Sequence, residues 1–225
     1  MCFSVEINRD FKYLSHFFQA KIDKQAFYKL DERKKEMGHI YKTPAQDNRI
    51  YPNYYAPVVI GADKSQRRIT PMRYRVRPHN SPTEVPSKYN LFNARYDSLT
   101  TRKTWKELIG RNHGLFPFKK FFEWVEVGGK KQLISFFPKG REIMWAPCIY
   151  DYWESPDKKY SITSFALITD DPPQEVLEKG HDRCPIFLKQ DLWELWLNPG
   201  HKNVQEILGI LKNKEEAIYQ SKYLE

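Results

Sequence analysis

The chain has 225 residues, 40% of them hydrophobic and 15% aromatic, which suits one folded domain with a sizeable core and excludes a disordered polymer. Lys and Arg number 37 against 28 Asp and Glu, a formal charge of +9, so the favoured partner is a polyanion, with nucleic acid first. The three cysteines, Cys2, Cys148 and Cys184, have no paired spacing; the N-terminus has no apolar run of signal-peptide length and no stretch reaches membrane-spanning length, so a soluble cytoplasmic protein without a disulfide framework is expected.

The first element in chain order follows Asn8, where Phe11, Leu14, Phe18 and Ile22 recur at intervals of three and four and predict a helix or two short helices. The charge-rich stretch ending at Gly38 reads as a solvated helix end or loop. Prolines at 44, 52, 57, 71, 78, 82 and 86 exclude long helices there and predict short strands joined by loops. In FFEWVEVGGKKQLISFF, Gly128 and Gly129 mark a tight hairpin that pairs Phe121 with Phe136, Glu123 with Ile134 and Val125 with Gln132. Glu123 then shares a face with Phe121, Val125, Ile134 and Phe136. Further strands are predicted at MWAPCIY and SITSFALIT, a helical turn at QEVLEKG, and a last helix through NVQEILGILKNKEEAIYQ. The fold class is therefore α+β, with a mainly antiparallel, barrel-like β-sheet core and peripheral helices.

Chemistry concentrates at few positions. A carboxylate among apolar side chains, as at Glu123, is suited to acid-base work near neutrality. His181 lies beside Arg183 and Cys184 in GHDRCP, and an imidazole there can move protons. No histidine has metal-ligand spacing, so neither a metal nor another cofactor is called for. Arg73, Arg75 and Arg77 alternate with Tyr74 in RYRVRP; on an extended strand the guanidinium groups share one face, as a phosphate track would, and an aromatic ring nearby can stack on an unpaired base. Asn93 and Arg95 in NARY add groups able to orient a polar ligand. Removing Met1 would leave Cys2 with an amine and a thiol on adjacent carbons, a pair that converts an aldehyde through an imine into a thiazolidine.

Cys2 behind Met1, NAR at 93–95, FFEW at 121–124 and GHDRCP at 180–185 together resemble, in order and spacing, the SOS response-associated peptidase (SRAP) family of abasic-site processing proteins. YYAP at 54–57, SFALITDD at 164–171 and LWLNP at 195–199 extend the resemblance over residues 1 to about 200 of a single domain, 1–225; residues 201–225 are expected to be a helical extension without an assigned role. The resemblance implies loss of Met1, attack of Cys2 on the ring-opened aldehyde of an abasic site in single-stranded DNA, and a thiazolidine crosslink, with self-directed peptidase and abasic-site lyase activity. It implies that Asn93 holds the cysteine end, that Glu123 moves protons during ring opening and methionine removal, and that His181 assists Schiff-base formation and sugar hydroxyl protonation. The expected DNA-facing set is Arg73, Tyr74, Arg75, Arg77, Arg95 and Trp124, on a protein expected to be monomeric.

Departures from the family lie at DNA-facing positions. Phe3 and Ser4 stand where the family has glycine and arginine, Tyr74 and Arg75 where it has tryptophan and glycine, Asp97 for the glutamate after NAR-x, and Cys184 for the methionine of His-x-Arg-Met-Pro. Arg75 or Arg77 is expected to offset the charge missing at Ser4. The alternative reading is a non-covalent, basic single-strand-binding relative that has lost crosslinking.

Overall fold

A computed structural model describes residues 4–44, 46–62 and 66–224; Cys2 and Phe3 lie outside the described residues. In chain order the elements are β1 (Ser4–Glu6), α1 (Phe11–Phe18), β2 (Ala20–Ile22), α2 (Lys24–Met37), β3 (Arg49–Ile50), β4 (Tyr55–Ala62), β5 (Gln66–Tyr74), β6 (Asn93–Arg95), α3 (Lys103–Lys106), β7 (His113–Phe118), β8 (Lys120–Val127), β9 (Lys130–Pro138), β10 (Met144–Glu154), β11 (Ser161–Asp170), α4 (Gln174–Leu177), β12 (Cys184–Pro185), α5 (Trp193–Leu197), α6 (Val204–Lys212) and β13 (Tyr219–Leu224). This is the α+β architecture expected. No described helix is long and apolar enough to cross a membrane.

Five strands close into a barrel. β5 pairs with β4, β4 with β7, β7 with β10 and β10 with β11, all antiparallel. A short parallel pairing of β11 with β5, Ser164 opposite Arg73 and Phe165 opposite Tyr74, shuts the ring. Tyr74, Phe116 and Phe165 stack together within it. Each such buried side chain contributes roughly 1.5–3 kcal/mol of apolar burial. Against this barrel lies a second sheet of five strands in the order β13-β9-β8-β1-β3.

The β8–β9 hairpin has the register that its sequence predicts, with Gly128 and Gly129 both at positive φ (57° and 77°), the conformation a two-residue type I′ turn demands. Two expectations are corrected. Of the two readings of the first stretch the pair of helices holds, but Ile22 belongs to neither: α1 stops where Gln19 turns left-handed at φ 48°, and Ile22 lies in β2, parallel to β5, before α2 begins. Asp10 and Asp23 begin the two helices by accepting the backbone N–H groups of Tyr13 and Ala26. Nor is the end of the chain all helix. α6 is capped by a reciprocal Asn203–Glu206 box and stops at Lys212, whereas Tyr219–Leu224 pair with the otherwise open edge of β9. Ladder hydrogen bonds along that edge outweigh the helical propensity of the charged segment before it.

Candidate functional site

Strand alternation sorts the five-stranded sheet into two faces. Registers place Val5, Ile50, Phe121, Glu123, Val125, Ile134, Phe136 and Tyr219 on the inner face and Ser4, Arg49, Phe122 and Trp124 on the outer one. Glu123 thus enters the core among aromatic and aliphatic side chains, 4% exposed. His181 meets it from the segment between α4 and β12, with Nε2 at 2.9 Å from Glu123 Oε2 and both side chains buried. Gly180, at φ 85°, bends the chain just before His181 into a conformation that an L side chain resists.

His181 Nδ1 lies 2.8 Å from the Arg183 carbonyl oxygen and 3.2 Å from the Arg183 backbone nitrogen, so the Arg183 peptide groups hold the ring in either tautomer. The 2.9 Å contact between Nε2 and Oε2 brings the imidazole and the carboxyl within hydrogen-bond reach of one another. A carboxyl and an imidazole in such contact are groups able to hand a proton to a leaving oxygen or take one from a nucleophile.

Behind the pair sits Cys184, whose thiol burial pushes up to about 12, with a hydrogen bond to Tyr219 and the charge of Lys214 opposing. The thiol is protonated at neutral pH and supplies no nucleophile. Tyr219, contributed by β13, also packs edge-on against Phe121 at 5.7 Å. Its sequence context, KNKEEAIYQ, carries no sign of this role.

Asn93 opens β6 and is buried; Tyr74 donates its hydroxyl to Asn93 Oδ1 at 3.0 Å. Tyr74 is fully buried, its ring against Phe92, Phe116 and Phe165, so it orients Asn93 from within the core and has no free face for a base. Arg95 is partly exposed and forms ion pairs with Asp97 at 3.0 Å and Asp171 at 3.2 Å. Trp124, 55% exposed, keeps an open ring.

The arginine row takes a different form from an open track. Met72, Tyr74 and Val76 do face the core, but Arg73, Arg75 and Arg77 are buried as well. All three reach Glu84: Arg73 as a two-pronged fork at 2.9 and 3.0 Å, Arg75 at 3.3 Å and Arg77 at 3.7 Å. Arg75 also donates to the Val85 carbonyl, and Arg77 lies 3.3 Å over the Trp153 ring. β5 ends at Tyr74, and Arg75 adopts φ 122°, a strained value for a residue with a side chain. The offset of Ser4 expected from Arg75 or Arg77 is therefore not what is found. Arg49, which the sequence did not single out, bonds Ser4 Oγ through Nε (2.9 Å) and Nη2 (2.8 Å).

A closed five-stranded barrel backed by a second sheet, with a buried carboxylate-imidazole pair between the chain's first strand and its last, defines the class. Residues 1–223 match the family model described as SOS response associated peptidase (SRAP), and the chain belongs to that family. It is 23% identical over 172 residues to the abasic site processing protein YoqW of Bacillus subtilis, covering 74% of this chain and 75% of that one. It is 24% identical over 179 residues to the abasic site processing protein HMCES of Xenopus tropicalis, covering 70% of this chain and 53% of its relative. Solved structures from Bacteroides thetaiotaomicron (TM-score 0.76, 19% identity, 100% and 92% coverage) and Bordetella bronchiseptica (TM-score 0.75, 14% identity, 100% of both chains) share the fold.

Proposed function

We propose that this protein processes abasic sites in single-stranded DNA and, once Met1 is removed, links itself to them through Cys2. The observation that carries the reading is the buried Glu123–His181 pair beside the strand that begins two residues after Cys2, with Ser4 opposite Phe122. Membership of a family whose relatives bear the name abasic site processing protein supports it.

The chemistry balances without a cofactor. The Cys2 amine adds to the ring-opened aldehyde, the carbinolamine hydroxyl leaves as water with one proton taken from the pair to give an iminium, and the thiol sulfur closes on the iminium carbon while the thiol proton returns to the pair. Glu123 accepts and returns the protons of sugar-ring opening. His181 assists the loss of water and protonates the sugar hydroxyl, and Asn93, oriented by Tyr74, holds the cysteine end. The same pair serves hydrolysis of the Met1–Cys2 bond by water, and removal of a proton from the sugar carbon next to the imine carbon would form a C=C bond, break the C3′–O bond and release the 3′ phosphate. In the DNA-facing set, Trp124 has the exposure to stack on a base. Arg95 can turn from its exposed carboxylates to a phosphate, and the Arg73–Arg77 row acts through the segment that Glu84 holds.

The test is a denaturing gel of protein sequenced to begin at Cys2, mixed with a single-stranded oligonucleotide carrying one abasic site, with Cys2→Ala in parallel. A shifted band that needs Cys2 and no reductant is expected. No band refutes the covalent reading and leaves a non-covalent single-strand binder.

A further inference from the structure

We infer that Arg49 is a DNA phosphate-binding residue of this site, the cation of a platform formed by the outer face of the five-stranded sheet. The inference rests on the single-stranded DNA reading and extends it to a residue that carries no motif. Register puts Arg49 opposite Glu6 and, on the same face, Ser4 opposite Phe122, with Trp124 two residues further along β8. The guanidinium lies 4.0 Å over the Phe122 ring and 5.3 Å from that of Tyr51, so its plane is held by aromatic contact before any ligand arrives.

Charge pairing separates Arg49 from most arginines of the chain. Arg67, Arg68, Arg73, Arg75, Arg77, Arg95 and Arg141 each have a carboxylate partner. Arg49 has none among the described residues. The two acids nearest in sequence and register are otherwise engaged: Glu6 bonds Lys120 Nζ at 3.2 Å, and Asp47 Oδ1 accepts the Arg49 backbone N–H at 3.1 Å. The fork onto the neutral Ser4 hydroxyl uses Nε and Nη2, and among the described residues no hydrogen bond engages Nη1 of this half-buried cation, the edge assigned to a phosphodiester. Ser4 is fully buried and only two residues from Cys2, so this cation is tied to the strand that leads directly to the nucleophile. A phosphate on Arg49 and a base on exposed Trp124 would fix a single strand across the sheet face beside that strand.

The experiment measures retention of a labelled, undamaged oligothymidylate of 15 nucleotides by anisotropy across a salt series, for the wild type, Arg49→Gln, Arg49→Lys and Ser4→Ala. One phosphate contact contributes about 0.7 to the slope of log affinity against log salt for single strands. Arg49→Gln should lower the slope by about 0.7 and the low-salt affinity by about fivefold to tenfold. Arg49→Lys should restore the slope, and Ser4→Ala, which keeps the guanidinium, should retain it. An unchanged slope with affinity within twofold in Arg49→Gln overturns the inference, as does Ser4→Ala reproducing the loss, which would make Arg49 only an anchor for β1. Thermal melts of each variant identify any loss due to unfolding; if Arg49→Gln does not fold, Arg49→Lys against Ser4→Ala decides. Wild type that binds the undamaged strand but forms no crosslink with an abasic one refutes the covalent reading and leaves Arg49 standing; wild type that binds neither overturns both.

Discussion

Replacing Glu84 by Gln removes the one carboxylate on which Arg73, Arg75 and Arg77 converge at 2.9–3.7 Å. At an effective dielectric of about 20, a unit charge pair near 4 Å is worth about 4 kcal/mol, and breaking a buried pair from one side costs about 3–5 kcal/mol. Glu84 is 39% exposed, so water already shares part of its interaction, and Val85 still accepts from Arg75. The net cost should therefore be about 2–4 kcal/mol. For a chain of this size about 2–4 °C of melting temperature accompanies each kcal/mol, so the midpoint should fall by about 5–15 °C. Part of the loss is mutual repulsion among the arginines, and Arg75 also carries backbone strain of roughly 1–3 kcal/mol at its positive φ. Arg75→Gly in the Glu84→Gln background should thus recover stability, with a coupling above about 1 kcal/mol in a double-mutant cycle. Thermal melts followed by circular dichroism, with urea titrations to obtain free energies, measure each corner. A Glu84→Gln shift below about 2 °C, or strict additivity, would refute the account of the cluster.

His113 is buried with its ring on Trp196 at 3.8 Å, Nδ1 donating to the Trp196 carbonyl and Nε2 accepting from Gly110, and burial lowers its pKa to about 4. The unfolded chain binds this proton first, so the contribution is complete above about pH 6.5 and lost as pH falls toward 4, at up to about 1.4 kcal/mol per unit; His113→Gln should flatten that slope in urea titrations. Burial holds the Cys148 and Cys184 thiols well above their ordinary range, so iodoacetamide at pH 8 should leave both unmodified in the native protein and label both in urea, as read by peptide mass spectrometry. Tyr74→Phe deletes the hydroxyl that bonds Asn93; it should cost about 1 kcal/mol in stability and slow crosslinking under single-turnover conditions, while leaving the salt slope of DNA binding unaltered.

What could be read from residues alone was whatever depends on near neighbours. Two adjacent glycines set the β8–β9 register, and that register put Glu123 on an apolar face. Ile22 misled because a three-residue parallel strand happens to continue a helical period; only the left-handed Gln19 and the cap at Asp23 separate the two. Closure of the barrel rests on β5 meeting β11, about ninety residues apart, in a pairing that local pattern does not encode. The alternation of Arg73, Arg75 and Arg77 was legible, but not the carboxylate that the 78–90 segment folds down onto them. Arg49 and Tyr219 lacked any local signal: each acquires its place through strand pairing, one against β1 and the other against β9.

The second sheet draws its strands from residues 4–6, 49–50, 120–138 and 219–224. Its first strand emerges from the ribosome long before its last, separated at ordinary synthesis rates of about 5–20 residues per second by some ten to forty seconds. In the later part of that interval, once each has been made, β9 has an open edge and Phe121 and Cys184 lack the Tyr219 ring. The sheet around Glu123 is thus finished late, its last edge strand arriving only after every other strand of both sheets has been made.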